Sequence, residues 1–180
     1  MANKEALKAL QQRLAERLKL ARELPPTRNW LAVETAGHGF LLPLAHASEI
    51  FPTVPLQSVP HCQPWLLGIG NLRGQLHAVI DLAVFLGLTR QARAGAARVP
   101  EGKATGNLVA MGNTLQINAA LLVDRLLGIR RPDEVKPVSA SHAPRPHFVV
   151  REWQDANGRT WYELDLAALA TDEVFLKVAA

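Results

Sequence analysis

The 180-residue chain predicts a mainly β protein with one amphipathic helix at its start. Three stretches carry that expectation. Residues 65–81, WLLGIGNLRGQLHAVID, hold two apolar runs, Trp65–Leu72 and Leu76–Ile80, on either side of Arg73-Gly74, and Asp81 closes the stretch. The second run contains β-branched Val79 and Ile80 and is too short for a solid helix, and Gly74 supplies the positive φ that a tight reversal needs. Two antiparallel strands joined at Arg73-Gly74 follow, with their apolar faces buried and a guanidinium pushed out at the turn. From Trp30 onward the pattern alternates with period two. Before it, Leu7, Leu10, Leu14, Leu18 and Ala21 recur at spacings of three and four, with Lys4, Lys8, Arg13, Arg17 and Arg22 off that stripe.

That stripe predicts a helix over residues 3–23, capped by Asn3 and ended by Pro25-Pro26, which remove donors and restrict Leu24. Its leucines can dock on the body of the same protein or be offered to another. A membrane-surface role is disfavoured because the stripe has no aromatic anchor. Next, Trp30–Glu34 reads as a strand, Ala36–Gly39 as a turn and Phe40–Leu44 as the return strand, with Pro43 marking an edge or a bulge. Leu44–Ile50 leads into a stretch punctuated by Pro52, Pro55, Pro60 and Pro64. After the central hairpin, Leu82–Leu88 forms a short apolar helical turn. Residues 89–106, rich in Ala, Gly and Arg without periodicity, read as a mobile loop.

The second half repeats the coarse plan of the first. Asn107–Met111 is a strand, Gly112–Thr114 a turn and Leu115–Val123 a longer strand. Ser139–His147 is a proline-bearing loop. His147–Trp153 and Arg159–Leu164 form a hairpin around Asp155-Ala156-Asn157-Gly158, whose Asn-Gly favours a tight turn.

Several chemistries are excluded. Gly68 and Gly70 begin like a dinucleotide fingerprint, but Arg73 takes the place of the third glycine and a strand follows instead of a helix. Cys62 is the only cysteine, so neither an intrachain disulfide nor a multi-cysteine zinc site can form. His61 beside it rarely faces its neighbour's thiol productively, and His46 and His77 lack metal-ligand spacing. Asp155 and Asn157 are too few oxygens for a calcium loop. With no convergent Ser/His/Asp, paired carboxylates or phosphate loop, no enzyme, cofactor or metal is expected. No apolar run approaches 18 residues and the amino terminus lacks a signal-peptide pattern, so a cytoplasmic location is expected. The net charge of +4 raises nucleic acid as a partner, bound by a basic β-barrel module. Against it, aromatics are only 6%, and the basic residues spread over the helix, the loop and the second half.

The central stretch resembles the signature of CheW-like adaptor domains, the scaffolds of bacterial chemosensory arrays. It is carried by Gly68-Ile69-Gly70-Asn71-Leu72-Arg73-Gly74 and by Ile80-Asp81-Leu82, with Ala78 where the family usually has proline. Leu44–Ile50 resembles the family's opening strand, ending in Glu49-Ile50, with Ala47 where valine is common. Val123–Ile129 fits its V-D-x-V-x-x-V pattern, and Trp161–Leu169 its closing strand and helix start. The ending Val174–Ala180 and the amino-terminal helix resemble the subgroup that controls type IV pilus twitching motility.

The resemblance implies two small SH3-like antiparallel β-barrel lobes sharing an apolar core, with the amino-terminal helix added outside. Residues 1–24 would be the helix and 25–180 the domain, its lobes about 28–88 and 107–180 joined by loop 89–106. It also implies a non-catalytic adaptor whose partners are a histidine kinase's CheW-like regulatory domain and the cytoplasmic tip of a chemoreceptor. The partner-binding residues so implied are Arg73, Asn71, Glu49, Ala47, Leu126 and Ile129. From residue type alone a surface ion pair is the commoner use of an exposed arginine such as Arg73, and Leu126 and Ile129 could be core. Because the body has its own strands, truncation to Pro25 should leave cooperative thermal unfolding intact, and an insoluble or molten product would make the first 24 residues part of the core.

Overall fold

The computed structural model describes residues 28–88, 106–138 and 145–180. The expected helix over residues 3–23 and the expected loop, Gly106 apart, lie outside the described residues. What is described is one plan executed twice. First come a hairpin of β1 (Trp30–Thr35) and β2 (His38–Pro43), four strands β3 (Ala47–Pro52), β4 (Leu56–Gln57), β5 (Leu66–Leu72) and β6 (Gln75–Asp81), and helix α1 (Leu82–Phe85). Then follow a hairpin of β7 (Asn107–Met111) and β8 (Ala119–Val123) and four strands β9 (Arg125–Arg130), β10 (Val135–Pro137), β11 (Val149–Asp155) and β12 (Thr160–Leu164). Helix α2 (Leu166–Ala170) closes the second unit, and α3 (Glu173–Leu176) follows it.

Both helices start for the same reason. Asp81 Oδ1 accepts from the backbone N–H groups of Ala83 and Val84, at 3.0 and 3.2 Å. Asp165 Oδ1 does the same for Ala167 and Ala168, at 2.9 and 3.1 Å. Each aspartate thus supplies acceptors to helix-end donors that have no partner within the helix.

The two units exchange their hairpins. One sheet has the order β4-β5-β6-β8-β7-β3 and the other β10-β11-β12-β2-β1-β9, so each joins four strands of one unit to the hairpin of the other. The sheets therefore do not coincide with lobes 28–88 and 107–180, because β1 and β2 belong with β9–β12 and β7 and β8 with β3–β6. Nor are the sheets antiparallel throughout. The exchange places β2 parallel to β12 and β8 parallel to β6.

This arrangement explains the uninterrupted apolar runs, since strands covered on both faces have no solvent side to keep polar. Alternation sorts their residues between two interiors. Leu31, Val33, Phe40, Leu42, Val109, Met111, Leu121 and Val123 point into a core shared by both sheets. Their neighbours Leu108, Ala110, Ala120 and Leu122 fill the first barrel, and Trp30, Ala32 and Leu41 fill the second. Truncating one shared-core leucine to alanine is worth about 2–5 kcal/mol, comparable to a large part of a domain's stability.

The second barrel is filled by indoles around a buried carboxylate. Glu163, only 2% exposed, accepts from Trp30 Nε1 at 3.1 Å and from Trp153 Nε1 at 2.9 Å. Arg28 approaches it to 3.7 Å. Trp161 lies against Gly39, where an added Cβ would come within 2.8 Å of the ring, so no larger residue fits beside it.

Other expectations need correction. Pro43 is the last residue of an interior strand, not an edge; β12 pairs with β2 only as far as Leu41, so no ladder on that side needs its missing N–H. His38 belongs to the strand and not to the turn. The long strand from Leu115 begins only at Ala119, because Asn113–Leu115 make a 3-10 turn and Gln116 is left-handed at φ 54°. The central hairpin reverses at Arg73-Gly74, with φ of 49° and 85°, the pair of positive values a type I′ turn uses. Its apolar residues are not all buried, since Leu76 is 64% exposed.

The β11–β12 turn is held by one carboxylate. Asp155 accepts from the backbone N–H of Asn157 at 2.9 Å and of Arg159 at 3.0 Å, and from Trp161 Nε1 at 3.0 Å. Burial pushes its pKa up, but those three donors and the charge of Arg130 outweigh that and hold it below the ordinary carboxylate value. With the folded-state pKa depressed, its stabilisation is complete above the ordinary carboxylate range and is lost as pH falls through the folded-state value. The melting temperature of Asp155→Asn should lie below wild type at neutral pH, with the gap narrowing in acid. A gap constant with pH would show that the ionised form is not what the turn holds.

Candidate partner-binding surface

The tip of the β5–β6 hairpin is built by its own sequence. Asn71 Oδ1 accepts from the Gly74 backbone N–H at 2.7 Å, so this side chain fastens the turn. Between them Arg73 adopts a left-handed conformation uncommon for a residue with a Cβ. Its Nη1 lies 3.0 Å from each carboxylate oxygen of Glu49 on β3, and its guanidinium stands 5.8 Å from the centre of the Phe51 ring. The pair links the hairpin tip to the edge strand of the same sheet. Both side chains remain open to solvent, 76% exposed for Arg73 and 44% for Glu49. Such a pair contributes about 0–1 kcal/mol to the fold.

Ala47 lies on the same strand as Glu49. The register of β3 against β7 shifts between these two residues, a bulge that leaves Ser48 outside the ladder. The Ser48 hydroxyl donates to the carbonyl of Ala110 at 3.2 Å. Ala47 itself is half-buried and packs against the shared core. Four of the six residues implied by the resemblance thus gather at one end of the first barrel.

Leu126 and Ile129 lie on β9, the edge strand of the other sheet. Three residues apart, they would face opposite sides of a regular strand. A bulge at Leu127, with Gly128 at φ 91°, sets Leu126 opposite Val33 and Ile129 opposite Leu31, two residues of one face. Leu126 is half-buried on the shared core, whereas Ile129 is 56% exposed. The choice between core and surface therefore divides: Leu126 belongs partly to the core, Ile129 to the surface.

Sequence reasoning missed a second exposed surface. Two open depressions of about 500 and 490 Å³ flank Leu76. They are lined by uncharged residues, among them Leu56, Ile69, Gln75, Gln116 and Asn118. The signal that could have found it was Leu76 itself, an apolar residue next to a turn, where the partner strand offers little cover.

Charge is distributed unevenly. The described residues hold 10 of the 20 Lys and Arg but 12 of the 16 Asp and Glu, a net −2. The excess positive charge sits in residues 1–27, with six basic against three acidic, and in 89–105, with four against one. The double barrel is thus not the basic surface that nucleic-acid binding requires. No helix among the described residues is long and apolar enough to cross a membrane.

These features define a double-barrel binding module with exposed, weakly stabilising polar and apolar groups at its strand edges. The chain belongs to the CheW-like domain family, which matches residues 29–174. Proteins of this family are non-catalytic scaffolds of chemosensory systems, and this chain is such an adaptor. It is 26% identical over 178 residues to protein PilI of Pseudomonas aeruginosa, covering 93% of this chain and 89% of that one. The fold is shared with the scaffolding protein TtCheW from Thermoanaerobacter tengcongensis, at a TM-score of 0.62 and 18% identity. That superposition covers 80% of this chain and 88% of the other.

Because Arg73 is exposed and its ion pair is solvated, Arg73→Ala should lower unfolding free energy by no more than about 1 kcal/mol. Denaturant titration measures this directly. A loss of several kcal/mol would make it a structural arginine.

Proposed function

We propose that this adaptor couples the cytoplasmic tip of a chemoreceptor to the CheW-like regulatory domain of a histidine kinase, in a system controlling type IV pilus twitching motility. The observation that carries the reading is Arg73. A non-glycine residue in the left-handed region costs about 1–3 kcal/mol, and here its side chain repays little of that through an exposed ion pair. The type I′ reversal requires a positive φ at this position but not an arginine, and an arginine kept there, exposed and weakly paired, fits a residue held ready for a partner. Arginine suits that task because its planar fork holds a carboxylate or two backbone carbonyls with paired bonds, which lysine cannot copy.

Ile129 supports the same reading from the other barrel. A large apolar side chain on a sheet edge gains free energy only when something covers it, and an amphipathic receptor helix offers such cover. The motility assignment rests on the likeness to protein PilI over nearly the whole chain. The adaptor would act in the cytoplasm, recruited to membrane receptor arrays through its partners, with no small-molecule substrate.

Titration of variants against the kinase regulatory domain and a receptor-tip peptide, beside a thermal melt, tests the reading. Arg73→Ala should cost about 1–3 kcal/mol of binding, and Arg73→Glu more, through repulsion and an unpaired charge. Ile129→Ser should weaken receptor binding with a nearly unchanged melt. Wild-type affinity of all three variants for both partners would overturn the proposal.

A further inference from the structure

The segment that follows helix α2 is apolar on the side that meets solvent. Phe175 is buried, its ring stacked on Trp65 at 6.1 Å between centres and set edge-on to Phe85 at 5.2 Å. That contact anchors the single turn of α3 to the shared core. Val174 and Leu176, on either side of Phe175, are 64% and 51% exposed, and Val178 is 41% exposed. The backbone fixes the segment further along, since the Gln63 N–H donates to the Val178 carbonyl at 2.9 Å and Cys62 bridges to Ala179. Beside Val174 a depression of about 190 Å³ opens, lined also by Gln63, Glu173 and Lys177. Apolar side chains held in water gain the fold little, and a cover for them would gain free energy.

The chain brings such a cover to this end of the molecule. Trp30 stands opposite Pro43, so β1 starts where β2 finishes. Because β2 runs parallel to β12, β12 finishes at that same end and leads from there through Asp165 into α2 and α3. Arg28, which precedes β1, approaches Glu163 of β12 to 3.7 Å. Residues 1–27 therefore join the body beside the root of the α2–α3 segment. Their sequence carries the stripe of Leu7, Leu10, Leu14 and Leu18. A helix over 3–23 would be about 32 Å long, and the four residues up to Thr27 add about 12 Å, enough reach to lie along Glu173–Val178.

Charge favours this surface over the other exposed apolar groups. Residues 1–27 hold six basic side chains against three acidic. Asp172 and Glu173 stand at the start of α3, against Lys177 at its end. By contrast Ile129 shares β9 with Arg125 and Arg130, Val150 is next to Arg151, and Leu76 is surrounded by uncharged side chains. A basic amphipathic segment is repelled or left indifferent at those places and attracted at α3.

We propose that residues 3–23 lay their leucine stripe on the outer side of Glu173–Val178 within the same chain. The stripe is then an internal cover and not a ligand offered to a partner. The proposal agrees with the expected tolerance of truncation to Pro25, because what the stripe covers lies outside Phe175 and the core beneath it.

The test uses the full chain as wild type and as Leu10→Ser/Leu14→Ser, Val174→Ser/Leu176→Ser and Glu173→Lys. Hydrogen exchange is followed by mass spectrometry, beside a thermal melt and a measurement of mass in solution. In Val174→Ser/Leu176→Ser, residues 3–23 should exchange about tenfold faster than in wild type, since the surface that covers the stripe is lost. Leu10→Ser/Leu14→Ser should in turn speed exchange of residues 173–178, because coupling between two contacting surfaces is reciprocal. Glu173→Lys keeps the apolar contact and reverses one charge. It should speed exchange of residues 3–23 about threefold and keep the wild-type melt. Unchanged exchange of residues 3–23 in both the Val174/Leu176 and the Glu173 variants would overturn the proposal, even if the first of them melts early. Coupling lost on dilution together with a dimer would put the stripe on a second copy and overturn it equally. So would protection of residues 3–23 that arises only when a receptor-tip peptide or the kinase regulatory domain is added.

Discussion

The constraint on which the molecule depends is that its central strands are buried on both faces. Strands β1, β2, β7 and β8 each send alternate side chains into a barrel of their own and into the core between the barrels. A polar side chain in these segments needs a partner in a dry interior or stays unsatisfied at a cost: Glu34 pairs with Arg125 and Arg159, whereas the buried Thr35 hydroxyl finds no partner. Exchange of hairpins between the two units makes the constraint mutual. Neither barrel is complete without strands from the other half of the chain, so the unit of folding stability is the pair.

The two barrels meet this demand with different chemistry. The first is filled by aliphatic side chains, among them Leu72, Val79, Leu108 and Leu122. The second buries Glu163, two residues before its capping Asp165 where the first barrel has Val79 two before Asp81, and satisfies both carboxylate oxygens with indole N–H groups. An unpaired carboxylate there would be strongly destabilising, and removing either indole donor would leave part of it unsatisfied. Trp161, lodged against Gly39 and bonded to Asp155, ties this interior to the β11–β12 turn.

With stability supplied by the shared core, the strand edges are free to serve other ends. Arg73, Glu49, Ile50 and Ile129 sit outside the continuous core, and their exposure means the fold gains little from them. Bulges on β3 and β9 turn these edges so that residues three apart reach one face, a device that a regular strand cannot provide. The net positive charge of the chain comes from residues 1–27 and 89–105 of the sequence, since the described residues sum to −2.

The sequence by itself determined the local elements wherever a short-range rule was strong. The central hairpin was legible because Gly74 permits a left-handed turn between two apolar runs, and the first strand because the short apolar run Trp30–Val33 stands just ahead of a glycine-bearing turn. The Asn71-x-Arg73-Gly74 and Ile80-Asp81-Leu82 segments carried the family as well, since they encode a turn and a helix cap that depend only on neighbours. Only the tertiary structure decided which strand pairs with which. A strand buried on both faces has the same composition whichever sheet it joins, so the exchange of hairpins leaves no mark in periodicity. The fate of the site residues was hidden for the same reason. The Arg73–Glu49 bond spans 24 positions of the chain. The partition of Leu126 to the core and Ile129 to the surface depends on a bulge that appears only once the edge strand is paired with its partner.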